Sequence, residues 1–138
     1  MLEQSERESL ERARSLMAQG DYSSASQVLS LLLDQECPEA LFLASTFSAD
    51  PLETDADFER RSFLMLERSA RGDYVPAMYA VACCYDTGDL VAEDRVRAAQ
   101  WFRSAAAAGH VDAIYRYGLA VFHGEGGDVD ESPGMGGP

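Results

Sequence analysis

Ala77-Met-Tyr-Ala-Val-Ala-Cys-Cys-Tyr-Asp-Thr-Gly88 opens the stretch that decides the fold of this 138-residue chain. A polar loop follows, then Asp94-Arg-Val-Arg-Ala-Ala-Gln-Trp-Phe-Arg-Ser-Ala-Ala-Ala-Ala-Gly109, then Ala113-Ile-Tyr-Arg-Tyr-Gly-Leu-Ala-Val-Phe-His-Gly124. The last segment repeats the first at a step of 36 residues: Ala77 recurs as Ala113, Tyr79 as Tyr115 and Gly88 as Gly124, with small residues at Ala82 and Gly118 in the same register. A period in the thirties built from helix-like pieces is the mark of an α-solenoid, in which each repeat buries its apolar face against its neighbours.

Working outward, the upstream chain carries a fainter copy at a step of 37. Ala40 falls opposite Ala77, Phe42 opposite Tyr79, Ala44 opposite Val81 and Ser45 opposite Ala82; Asp57 falls opposite Asp94, Leu64 opposite Trp101, Met65 opposite Phe102 and Gly72 opposite Gly109. Seven helices are expected. The first runs from Leu2 to Gln19 with Leu10, Ala13, Leu16 and Met17 on one face, and Gly20 ends it. Ser23 or Ser24 caps the second, which reaches about Gln35 and buries Ala25, Val28, Leu29 and Leu32. Pro38 opens the third, which Asp50-Pro51 breaks. An acidic loop, Glu53 to Asp57, leads to the fourth, ending near Arg71. The fifth spans Val75 to Thr87. Asp94 caps the sixth, whose inner face is Ala98, Trp101, Ala105 and Ala106. The seventh spans Val111 to His123. Residues 125–138, with five glycines, two prolines and four acids, read as a flexible tail after a repeat domain of residues 1–124.

At residues 77–124 the chain resembles the Sel-one-like repeat family, a tetratricopeptide-related unit. Its first-helix pattern, Ala-x-x-x-Leu-Gly-x-x-Tyr-x-x-Gly, is filled by Ala77, Val81, Ala82, Tyr85 and Gly88. Leu90-Val91 and Asp94 fill the loop, and Ala98, Trp101, Ala105, Ala106 and Gly109 fill the second helix. Ala113, Tyr117, Gly118, Val121 and Gly124 begin another repeat. Over residues 40–72 the likeness is weaker, with Arg61, Leu64 and Arg68 where Ala, Trp and Ala are expected. The resemblance implies a right-handed superhelix of antiparallel helix pairs, even-numbered helices convex and odd-numbered concave. It also implies scaffold, adaptor or regulatory roles without shared catalytic residues.

Charge narrows the partners. Twenty-four acids against eleven arginines give −13, and the chain has no lysine. Phosphates and anionic membranes would be repelled, so neither nucleic acid nor membrane is expected; a basic protein surface is favoured. No apolar run approaches 18 residues, and the charged N-terminus is not a signal peptide. Cys37, Cys83 and Cys84 make an odd count without a Cys-x-x-Cys, which reads as free thiols and a cytoplasmic setting. His110 and His123 are too few for a structural zinc, Gly124-Glu-Gly-Gly lacks the strand and lysine of a phosphate loop, and no nucleophile has a base beside it, so no catalytic residue, metal or cofactor is assigned.

The candidate partner-binding residues are therefore surface groups. Asp55 and Asp57 crowd one inter-helix loop with Asp50, Glu53 and Glu59. Asp86, Asp89 and Glu93 crowd the equivalent loop one repeat on with Asp94, and stacked repeats would join the two into one negative ridge. Tyr115, Arg116, Leu119 and His123 lie on the last helix, open to a partner or to self-association. The expectation is an all-α, non-enzymatic protein-binding module, most concretely an acidic immunity protein that neutralises a bacterial toxin. The alternatives are a regulatory adaptor and a small enzyme holding a divalent metal in its acidic loops.

Overall fold

A computed structural model describes residues 3–124; the flexible-tail expectation for 125–138 falls outside them. Seven α-helices and no strand occur among the described residues: α1 Gln4–Ala18, α2 Tyr22–Asp34, α3 Pro38–Ala44, α4 Asp55–Arg71, α5 Val75–Thr87, α6 Arg95–Ala107 and α7 Val111–Phe122. They form two compact units divided after Gly72.

In the first unit α1 pairs with α2 and α3 with α4. Leu10, Ala13, Ala25, Leu29, Leu32, Ala40, Leu43, Ala44 and Phe47 make its core, with Leu16, Met17 and Val28 packed around them. The Tyr22 and Phe47 rings stack at 5.1 Å. The cap of α2 is Asp21, whose carboxylate accepts from the Ser24 amide at 3.2 Å, rather than Ser23 or Ser24. A carboxylate at this place also meets the positive end of the helix dipole.

Helix α3 is shorter than the sequence suggests and ends at Ala44, well before Asp50-Pro51. Ser45 Oγ donates to the Phe42 carbonyl at 2.6 Å and Thr46 Oγ1 to the Leu43 carbonyl at 2.7 Å. These hydroxyls take carbonyls that a further helical turn would have used. Helix α4 starts earlier than expected. Its cap is Thr54, which accepts from the Asp57 amide at 3.1 Å, so Asp55 and Asp57 belong to the first turn of the helix and not to a loop.

The repeat register also splits. At a step of 37 the buried residues of α3 match those of α5: Ala40 with Ala77, Leu41 with Met78, Ala44 with Val81, Ser45 with Ala82. For α4 and α6 the step that matches burial is 36: Ser62 with Ala98, Leu66 with Phe102, Ser69 with Ala105. One residue has been gained or lost between the paired helices, which puts Leu64 on the surface, 49% exposed.

In the second unit α6 packs on α5 and on α7. Its buried face is Ala98, Ala99, Phe102 and Ala105; Trp101 and Ala106 are only half-buried. Ala98 and Ala105 lie on the inner face as expected, and Phe102, not Trp101, fills the core beside them.

Candidate protein-interaction surface

The nine candidate residues divide between the units. Asp55 and Asp57 sit exposed in the first turn of α4, where carboxylates oppose the helix dipole. Asp57 Oδ1 lies 3.3 Å from Arg60 Nη2. Glu53, read from the sequence as part of the same acidic surface, is withdrawn from it: Arg61 donates to its two oxygens from Nε at 2.8 Å and Nη2 at 3.0 Å, and Ser48 Oγ also donates to it. These hydrogen bonds hold its carboxyl down at about 2. Arg61 further reaches the carbonyls of Ala44 at 3.3 Å and Phe47 at 3.0 Å. Arg61 therefore ties the α3–α4 connection to α4. Two acids and a serine eight to thirteen residues upstream were the only sequence signal for it.

In the second unit Asp86 is half-buried and pairs with Arg116 at 3.7 Å. Arg116 also lies over the Phe102 ring, 5.9 Å from its centroid. Asp89 and Glu93 are exposed in the α5–α6 connection, Glu93 bonded to Arg95 at 3.1 Å. A shallow cleft of about 180 Å³ opens between α6 and α7, lined by Arg95, Ala98, Phe102, Arg116, Leu119 and His123. The structure thus brings Asp86, Arg116, Leu119 and His123 together, and leaves Tyr115 on the outer side of α7, 69% exposed.

Tyr79 carries the inner side of this arrangement. Its ring stacks on His110 at 4.4 Å and meets Phe102 edge-on at 5.7 Å. His110 is structural: its Nδ1 accepts from the Ala113 amide at 3.2 Å and caps α7. The three cysteines are free thiols, Cys37 and Cys84 buried and Cys83 half-buried. Burial pushes Cys84 up to about 11 and also raises Cys83, so neither is a ready nucleophile. Among the described residues no group of three or more His, Cys, Asp or Glu is placed to hold a metal, so the acidic loops offer the metal-enzyme alternative no ligand set there. No helix among them is long and apolar enough to cross a membrane.

Paired helices with small residues at the contacts define an all-α helical-repeat protein. Residues 75–110 and 111–134 match the family described as Sel1 repeat, so the chain carries two Sel1 repeats. A solved Sel1 repeat protein from Oxalobacter formigenes superposes with a TM-score of 0.64 and 28% identity, over 79% of this chain and 84% of that one. Among curated proteins, Protein SHC1 of Saccharomyces cerevisiae is 31% identical over 72 residues, 52% of this chain and 14% of that protein. Chitin synthase regulatory factor 2 of Schizosaccharomyces pombe is 32% identical over 87 residues, 62% of this chain and 17% of that protein. The matched stretch is a small part of both yeast proteins.

Proposed function

We propose that this chain is a non-enzymatic adaptor that regulates a partner protein by binding a basic surface on it. The observation that carries the reading is the division of labour in the second unit: the repeat-pattern residues Ala77, Val81, Ala82, Tyr85, Ala98 and Ala105 are buried in packing, and what faces outward is acids such as Asp89 and Glu93, four arginines and one apolar helix face. The regulatory name of one yeast relative supports the adaptor role. Free thiols fit a cytoplasmic protein, which is part of the proposal.

A second reading rests on the charge of −13. The chain would be an acidic inhibitor seated in the basic active site of a toxin, steered there by its field. One experiment tests both. The chain is used to capture proteins from its host's lysate beside a variant with Asp55, Asp57, Asp89 and Glu93 all changed to Arg. The variant should keep its helical circular dichroism, because these side chains are exposed. Loss of one basic, toxic enzyme supports the inhibitor; loss of components of one larger complex supports the adaptor. Equal capture by both chains refutes the acidic docking surface.

A further inference from the structure

We propose that α7 pairs antiparallel with α7 of a second copy through its own exposed apolar stripe, making the free chain a weak two-fold dimer. The proposal goes beyond the protein-binding reading above and does not rest on it. Val111, Ile114, Tyr115, Gly118, Leu119 and Phe122 recur at three- and four-residue steps and so share one face of α7. Their exposure is extreme for such residues: Val111 76%, Ile114 52%, Tyr115 69%, Leu119 42%, Phe122 83%. None of the six is charged, in a chain with 24 acids and 11 arginines. At about 100° per residue, Asp112 and Arg116 both fall to one side of the stripe and leave its centre apolar.

The stripe is complementary to itself. In a two-fold pair each contact occurs twice, residue i of one copy meeting j of the other and j meeting i. An antiparallel pair centred between residues 116 and 117 sets Tyr115 level with Gly118, Val111 with Phe122 and Ile114 with Leu119. Two of these matches put a ring level with a smaller residue, and the third joins two aliphatic side chains of equal size. Bulk therefore meets hollow along the whole helix, as close packing requires. A parallel pair would set Phe122 on Phe122 and Gly118 on Gly118, bulk on bulk and gap on gap. A second copy is thus a partner whose matching surface the structure itself supplies.

Gly118 fits this use, and the fold gives it no other. It lies inside a helix, where glycine is the poorest former after proline. Its φ is not left-handed, and a Cβ there would meet nothing within 4 Å among the described residues. Side chains bared to this degree present roughly 600 Å² on each copy, since a covered aromatic ring alone accounts for roughly 150–250 Å². The pair would hide about 1,200 Å² in all, at the low edge of specific interfaces, so the dimer is weak and concentration-dependent. Two chains of −13 repel, so salt should tighten this pair, whereas it should weaken capture of a basic partner.

The test is sedimentation equilibrium of the free chain from ~5 to ~500 µM. The average mass should rise from one chain toward two, and association should strengthen severalfold between ~0.05 and ~0.5 M sodium chloride. Tyr115→Glu and Gly118→Leu should each weaken it at least about tenfold, with circular dichroism unchanged, because both positions are exposed. The register is read by mild oxidation. A Val111→Cys chain mixed with a mass-tagged Phe122→Cys chain should give a mixed disulfide-linked dimer, and Val111→Cys alone should not. A monomer at every concentration and salt overturns the proposal, as does a dimer indifferent to both α7 variants. Cross-linking of Val111→Cys to itself refutes the antiparallel pair. A chain that dimerises only after removal of residues 125–138 shows α7 covered by its own chain and refutes the second copy. In each case the salt-weakened capture of a basic partner is a separate result, so the adaptor reading stands or falls on its own.

Discussion

Arg61 neutralises Glu53 and reaches two carbonyls past the short end of α3. It falls opposite Ala98 at a step of 37, but at the step of 36 that burial supports its counterpart is Arg97. The Glu53 carboxyl, held down from 4.5 to about 2, contributes stability that is fully present above pH 4.5 and is lost as pH falls through about 2. Arg61→Met should flatten the acid limb of stability in that window, read from urea midpoints measured between those two values; an unaltered acid limb would show that the pair adds nothing. A second residue-scale test separates neighbours. Phe102 is 3% exposed and Trp101 is half-buried. Phe102→Ala should cost ~3–5 kcal/mol and Trp101→Ala under ~2 kcal/mol in urea unfolding. The sequence favours the opposite order, because Trp101 matches the family pattern and is the larger ring. Only packing against α5 reveals which side chain points inward.

At the scale of helices, the boundaries follow from caps that are small and local. Thr54→Ala should destabilise by ~1 kcal/mol, while Asp57→Ala, at a first-turn site without a cap role, should cost less than half of that, by thermal melting. Gly72 is kept for a different reason from a helix-ending left-handed glycine. Its φ is −85°, and a Cβ there would stand 2.6 Å from Pro38 Cγ. Gly72→Ala should therefore cost ~1–3 kcal/mol through a clash between the end of α4 and the start of α3. The left-handed residue is the next one, Asp73, at φ 70°. Helices α5, α6 and α7 were legible to within a residue because caps and periodicity agree there: Pro76 in the first turn, Asp94 as N-cap, Gly88 left-handed after Thr87. The α3–α4 pair was legible in kind but not in register. The one-residue change of step lies in a connection that carries no periodic signal, and Thr46 reads as part of the third helix and Thr54 as an ordinary loop residue until their hydroxyls are seen bonded. Of the candidate surface, the sequence located the acids and the open α7 but did not separate Glu53, which is consumed internally, from Asp55 and Asp57, which are exposed.

For the molecule as a whole, the charge of −13 acts on stability as well as on partner choice. Self-repulsion weakens the compact state, so raising sodium chloride from ~0.02 to ~0.5 M should raise the melting midpoint of the free chain, and the same salt should weaken capture of a basic partner. A melting point that falls or stays level would place the acids in compensating pairs. A last consequence comes from the two serines inside α4. Ser62 donates to the Ser45 carbonyl at 2.7 Å and Ser69 to the Pro38 carbonyl at 2.6 Å, where α6 simply buries Ala98 and Ala105. Consensus engineering, which stabilises repeat proteins by restoring the commonest residue at each position, would write alanine at both sites. Here each such correction would strip a carbonyl of its donor. The first hairpin's irregularities have become mutually dependent, and idealising this chain one position at a time should make it weaker.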